Sequence, residues 1–342
     1  MTGGIVVVSD THLHAYPGAA SAQGGNQRLG HIVQAMDAVL DYARAVKAAA
    51  IVHAGDLFHD RKGVRPEALH RAGEWMDRVH SVGIDLHLLV GNHDLSLDCM
   101  THSLRGFNGR ALVHAATELA DVGPFRCGFT PYDEDPAKVR ESCRRLSKQR
   151  VQFLFGHLGL GDPKFSNCVP AEYEVPGRIA VDDLYPDDFA QVLLGHYHLA
   201  QQVTPRVRYI GSPLQLSFGE ADHPKGWLYV TPAGRVDWVE NKASPRYHIV
   251  TDARVIRDLP EADFVWLRAA TREDERAGAA LAVDRPGMRV DRAVAPGAPA
   301  RLDPAAKGKK LLESYVRAVR PDALDYEVDA LVAEGIRLKE GT

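Results

Sequence analysis

Five short stretches of this chain carry the residue types that bind cations, and each follows directly on an apolar run. They are Ser9-Asp10-Thr11-His12, Gly55-Asp56-Leu57-Phe58-His59, Gly91-Asn92-His93-Asp94, Gly156-His157 and Gly195-His196-Tyr197-His198. Carboxylates, imidazoles and an amide oxygen in combination form a donor set for divalent metal ions. Residues two apart on extended chain point the same way, so Asp10 and His12 can reach one ion, as can His196 and His198. One such residue after a strand is ordinary loop chemistry; five sets in one chain are not. The expectation is that Asp10, His12, Asp56, Asn92, His157, His196 and His198 converge in a single crevice.

That mixture suits the hydrolysis of a phosphate ester. Two divalent ions bring four positive charges, of which Asp10 and Asp56 offset two. Neutral imidazoles and Asn92 fill coordination positions without removing more, so the site stays attractive to an anion. Ions roughly 3.5–4 Å apart can share a carboxylate and a water, lower the water's pKa and steady the charge of a pentavalent transition state. Asp56 is the natural bridge between them. His93 is assigned off the metals, as proton donor or charge stabiliser at the leaving oxygen, oriented by Asp94.

The elements that must position these groups are legible as periodicity. Ile5–Val8, Ala50–His53, Leu86–Val90, Gln152–Phe155 and Gln191–Leu194 are continuous apolar runs, the pattern of strands buried on both faces. Between the first three lie helical stripes: Leu29 to Val46, and Leu69 to Val79 behind Pro66. Asp135 and Pro136 cap a third helix with Val139, Cys143 and Leu146 inward. Ala111–Val113 and Phe125–Phe129 are shorter strand candidates. Val207–Ile210, Trp227–Val230 and Val236–Val239 suggest an antiparallel run. Beyond residue 245 come strand-like Tyr247–Val250 and Asp263–Leu267, a linker over Pro286–Pro304 rich in Ala, Pro and Gly, and two closing helices. The expected fold is α/β, a four-layer β-sandwich flanked by helices with a small C-terminal α+β attachment. Residues 1–245 form the main domain, 246–305 a small capping-like region with linker, and 306–342 a helix pair. Trp75, Trp227, Trp238 and Trp266 are expected in the core.

Composition narrows the class. The 342 residues are 45% apolar and 25% charged with a net charge of -4, so no global basic field advertises nucleic acid and a polyanion must be held locally. Four scattered cysteines without a CxxC pair fit a reducing compartment. No run approaches the roughly 20 apolar residues needed to cross a bilayer, and no signal peptide precedes the first strand, so a cytoplasmic location is expected.

The five motifs resemble the pattern D-x-H, G-D, G-N-H-[DE], G-H and G-H-x-H of the calcineurin-like metallophosphoesterase superfamily, all intact between residues 5 and 198. The resemblance implies one ion on Asp10, His12, Asp56 and His198, a second on Asp56, Asn92, His157 and His196, and catalysis by His93. Gly55 to Arg61 with Arg65 to Leu69, and Tyr209-Ile210-Gly211-Ser212-Pro213-Leu214-Gln215-Leu216-Ser217-Phe218-Gly219-Glu220, resemble the SbcD-type DNA-repair nucleases. This implies a manganese-dependent exonuclease and endonuclease acting on DNA ends in repair or recombination. It also implies a homodimer bound to an SMC-like ABC ATPase of the SbcC type, with His59 near the substrate phosphate. The short chain shares the economy of compact phage-encoded recombination endonuclease subunits. Two other readings stay open: a phosphatase or cyclic-nucleotide phosphodiesterase with the same site, and a non-catalytic scaffold of the same fold.

Overall fold

Alternate residues of the first apolar run face opposite ways, and each side meets a different core. Val6 and Val8 pack with Leu29, Met36, Val39 and Trp75 of two helices, whereas Ile5 and Val7 pack with Phe129, Phe153 and Phe155 of a second sheet. A computed structural model describes residues 3–16, 25–161, 179–285 and 287–291, with Lys310, Glu313 and Val328. The run is β1 (Ile5–Val8), flanked in parallel by β2 (Ala50–His53), then β3 (Asp85–Leu89) and β4 (Leu112–His114). On its other side the hairpin β11 (Gly226–Val230) and β12 (Val236–Glu240) pairs antiparallel. Helices α1 (Gln27–Ala45) and α2 (Pro66–Ser81) are the crossovers that parallel neighbours require. Asn26 caps α1 by accepting from Leu29 N, and Pro66 opens α2.

A second six-stranded sheet lies on the first: β5 (Glu118–Val122), β6 (Phe125–Thr130), β7 (Phe153–His157), β8 (Gln191–Gly195), β10 (Val207–Tyr209) and β9 (Gln201–Thr204), in that order. Its outer face is covered by α3 (Pro136–Ser147) through Val139, Cys143 and Leu146. The layers run helix, sheet, sheet, helix, the expected sandwich. The run Val207–Ile210, expected beside Trp227–Val230, belongs instead to this second sheet, where β10 pairs parallel with β8. Val207 and Tyr209 bury their side chains with Leu154, Val192 and Leu194, a core the hairpin cannot reach.

A third, parallel sheet follows: β13 (Tyr247–Val250), β14 (Phe264–Arg268) and β15 (Met288–Asp291), with α4 (Arg272–Ala282) between the last two. Its own core holds Val265, Leu267 and Ile256, joined by Met288 and Val290. The linker expected over Pro286–Pro304 is therefore wrong at its start, because alternate Met288 and Val290 supply one face of a strand. Residues 292–304 of that linker, and the closing helix pair of 306–342 apart from Lys310, Glu313 and Val328, lie outside the described residues. Trp75 and Trp227 are core, but Trp238 sits exposed on the edge strand β12. Trp266 lies beneath the guanidinium groups of Arg268 and Arg289 at 4.1 and 4.2 Å. Among the described residues no helix is long and apolar enough to cross a membrane.

One polar chain bridges the two large sheets. Glu118 Oε1 accepts from His114 Nδ1 at 2.8 Å, so His114 Nε2 must accept from His87 Nδ1 at 2.9 Å. Both rings are buried and stacked with Phe129 of the opposite sheet. Burial holds both imidazoles down to about 4. Because the folded values lie below the unfolded value near 6.5, the neutral pair contributes its full stability above that pH and loses it as pH falls toward 4. Urea unfolding of the metal-free protein at pH 7 and pH 4.5 should show a loss of a few kcal/mol, at about 1.4 kcal/mol per pK unit. His87→Phe/His114→Phe should flatten that slope relative to wild type; an equal slope in both would count against the assignment.

Candidate metal centre

All five motifs leave the carboxyl ends of strands: β1, β2 and β3 in one sheet, β7 and β8 in the other. Parallel pairing puts those ends on one side of each sheet, and the two sets of loops meet at the seam. His12 Nε2 and His198 Nε2 stand 3.0 Å apart. Asn92 Oδ1 is 3.0 Å from His157 Nε2 and 2.9 Å from His196 Nδ1. Asp56 Oδ2 lies 3.6 Å from His12 Nε2 and 3.3 Å from His157 Nε2, facing both groups at once. Asp10 Oδ1 is 4.0 Å from His157 Nε2. Asp10, His12 and His198 form one close donor group, and Asp10, Asp56 and His157 a second. On an ion with ligand distances of about 2.0–2.2 Å, neighbouring donor atoms stand roughly 3 Å apart. Spacings of this order make the cluster a candidate site for divalent metal.

The convergence is not produced by strand pleating. Asp10, His12, Asp56 and His196 all hold positive φ, at 55°, 49°, 56° and 96°. Such turns are uncommon outside glycine, though Asp and His tolerate them, and they gather at functional sites. His196 N donates to both carboxylate oxygens of Asp10, each at 3.1 Å, which ties the β8 loop to the β1 loop. Gly55 (φ +100°) leaves the space that the His157 ring occupies, since a Cβ there would stand 2.1 Å from His157 Nδ1. His157 Nδ1 in turn donates to Ala54 O at 2.8 Å, which aims Nε2 inward.

Charge in the crevice is strongly coupled. Burial drives Asp56 toward its neutral acid, but His157 and His12 overcome this and hold it well below the usual carboxylate range. Burial depresses His157 as well, yet Asp56 and Asp10 push it up to about 9. Burial keeps His12 well below its ordinary value and lowers His196 to about 3, with His157 adding to the latter. Burial opposes charge on all four imidazoles of the cluster; carboxylate neighbours nonetheless raise His157 and His198, whereas His12 and His196 stay lowered as neutral donors.

His93 and His59 flank this cluster on the open side. Their rings stack at 5.5 Å, 15° from parallel, and His93 Nδ1 donates to His59 O at 2.6 Å. That bond leaves His93 Nε2 to take or give a proton. His59 Nδ1 lies 3.3 Å from His12 Nδ1. Burial, with His93 next in weight, lowers His59 to about 4, so at neutral pH it offers a hydrogen bond rather than a charge.

Asp94 does not touch the His93 ring it was expected to orient. Its buried carboxylate accepts from the amides of Gly91, Asp56, Leu57 and Phe58 at 3.0, 2.9, 3.4 and 3.0 Å. It staples the loop after β2 to the loop after β3, work that a motif one residue beyond His93 did not reveal. Glu220 was missed as well. It is buried and accepts from His198 Nδ1 at 2.8 Å and from Lys225 Nζ at 2.8 Å. The signal was present, since Glu220 ends the stretch begun by Tyr209, but no local pattern shows which side chain it meets.

Asp94→Ala should strand several buried amide donors, each costing about 1–3 kcal/mol. The metal-free protein is expected to lose stability by roughly 3 kcal/mol or more in denaturant unfolding. A residue that only turned His93 would leave that measurement unchanged.

The pattern of the calcineurin-like phosphoesterase superfamily domain matches residues 4–158. Exonuclease subunit 1 of Enterobacteria phage T4 is 23% identical over 218 residues, 60% of this chain and 60% of that protein. The SbcD subunit of the nuclease SbcCD from Staphylococcus saprophyticus is 23% identical over 226 residues, 57% of this chain and 58% of that protein. The chain spans about three-fifths of the length of these curated relatives. Among solved structures, a dimetal phosphatase from Danio rerio is similar with 11% identity and a TM-score of 0.41, over 67% of this chain and 92% of that one. From β1 through the end of β7, on a two-sheet fold whose strand ends carry the motifs, residues 4–158 are similar to the calcineurin-like phosphoesterase superfamily domain.

Proposed function

We propose that the chain is a manganese-dependent DNA nuclease that hydrolyses phosphodiester bonds with two divalent ions in DNA end processing, repair or recombination. The observation that carries the reading is the position of Asp56 Oδ2, between the His12 side and the His157 side of the donor cluster. A shared carboxylate at that point suits two ions, one with Asp10, His12 and His198, the other with Asn92, His157 and His196. Bound there, the ions would activate a water and offset phosphate charge. Asp56 Oδ1 meanwhile accepts from His93 N at 2.7 Å, which sets the catalytic loop relative to the bridge. His93, free at Nε2, would protonate the leaving oxygen. His59, stacked on it, would hydrogen-bond a phosphate oxygen.

DNA as the substrate is supported by the SbcD-like stretches around His59 and Ser212, and by the nuclease names of the two curated relatives. The same resemblance supports a homodimer acting with an SMC-like ABC ATPase. The basic face of α3 adds little to substrate binding, because Arg140 pairs with Asp183 and Arg144 with Glu141.

Purified protein with manganese should degrade end-labelled double- or single-stranded DNA, assayed with and without a candidate ATPase. Asp56→Asn should abolish this, and His93→Ala should lower kcat by about 10²–10⁴, the usual worth of a general acid. Hydrolysis of small phosphate esters with DNA left intact would replace the reading with a phosphatase or cyclic-nucleotide phosphodiesterase. Protein that takes up no ion and cleaves nothing would mark a scaffold.

A further inference from the structure

His198 is gripped at both ends by a buried ion pair that lies outside the donor cluster. Glu220 and Lys225 are 2% and 5% exposed and 2.8 Å apart. Glu220 Oε1 accepts from His198 Nδ1 at 2.8 Å, and Oε2 accepts from Leu216 N at 3.0 Å. Lys225 Nζ donates to His198 O at 2.9 Å and to Ser212 Oγ at 2.8 Å. The imidazole and the backbone of one residue are thus held by the two members of a single pair.

Packing alone gives little reason for such a pair. Burying two charges costs several kcal/mol, and apolar side chains of similar volume often serve stability as well or better. Two other imidazoles at the site are held differently: His157 and His93 donate through Nδ1 to backbone carbonyls. A carboxylate on the far nitrogen fixes which ring nitrogen carries the proton and makes the other a stronger donor. Here the far nitrogen is Nδ1, which leaves Nε2 facing His12 at 3.0 Å and Asp10 nearby.

We infer that Glu220 is a positioning residue for metal binding, holding His198 with its proton on Nδ1 so that Nε2 is presented to the ion shared with Asp10 and His12. The inference rests on the two-metal reading above and assigns control of one of its two ions to a residue that touches neither.

The test is a stepwise manganese titration of the metal-free, full-length protein by calorimetry. Wild type should show two binding steps. Glu220→Ala/Lys225→Met removes the carboxylate without stranding the ammonium, and should weaken one step by about 10–100-fold while leaving the other unchanged. Lys225→Met alone removes the same packing but keeps the carboxylate, and should retain both steps. Nitrogen-15 spectra of the imidazoles, recorded without metal, should show His198 protonated at Nδ1 in wild type and in Lys225→Met but not in the double variant. Unchanged steps, equal loss at both steps, or an equal loss in Lys225→Met would each overturn the inference. A wild type that takes up fewer than two ions would overturn the two-metal reading itself. In that case an unaltered His198 proton position in the double variant would overturn the role of Glu220 separately.

Discussion

The structure depends on holding electron-rich atoms together where they repel. Two buried carboxylates, an amide oxygen and four imidazoles meet at the seam of two sheets, several only about 3 Å apart. Their strained turns cost on the order of 1–3 kcal/mol each. His157, raised by Asp56 beside it, offsets part of this, and the surrounding fold supplies the rest of the restraint. It does so with parallel ladders on β1, β2, β3, β7 and β8, whose registers fix where each loop begins. The Asp94 staple and the His196–Asp10 bonds then fix where each loop goes.

The net charge of -4 sharpens the point. A chain with no overall basic field cannot gather a polyanion by long-range attraction, and the exposed arginines of α3 are partly neutralised by carboxylate neighbours. Positive potential must come from the crevice itself. The lowered imidazoles, His12 and His196, add no charge to it, whereas His157 is raised.

What could be read from the chain follows from locality. Buried parallel strands are continuous apolar runs, and the donor groups after them sit within a few residues, so the convergence of Asp10, Asp56, Asn92, His157 and His196 was legible along with the helices that separate their strands. Direction was not. Asp10 and His12 share a target through left-handed turns rather than through extended chain, and nothing in Ser9-Asp10-Thr11-His12 encodes the φ values. Strand partners were equally hidden: three residues of β10 fit either sheet by composition, and only the core behind Val207 and Tyr209 decides. The short, half-exposed β5 and β9 lack apolar runs, and α4 buries little beyond Gly278 and so showed no stripe. Asp94 and Glu220 act across more than twenty residues of sequence, on amides and an imidazole that no local pattern names.

The stretch from Gly211 to Lys225 joins two parts of the molecule that composition treats as separate. Its Glu220 and Lys225 hold His198, while Gln215 accepts from Tyr247 N at 2.6 Å and donates to the carbonyls of Ala221 and His223. Phe218 packs edge-on against Tyr247 and Trp266 of the third sheet. A shift of β13 would therefore pull on Gln215, and through the same short loop on the carboxylate behind His198. Because Glu220, Lys225, Ser212 and Gln215 are all buried and hydrogen-bonded, the loop has little slack to absorb such a shift. The small third sheet and the loop that holds His198 are in this way joined by hydrogen bonds and ring contacts through one short stretch.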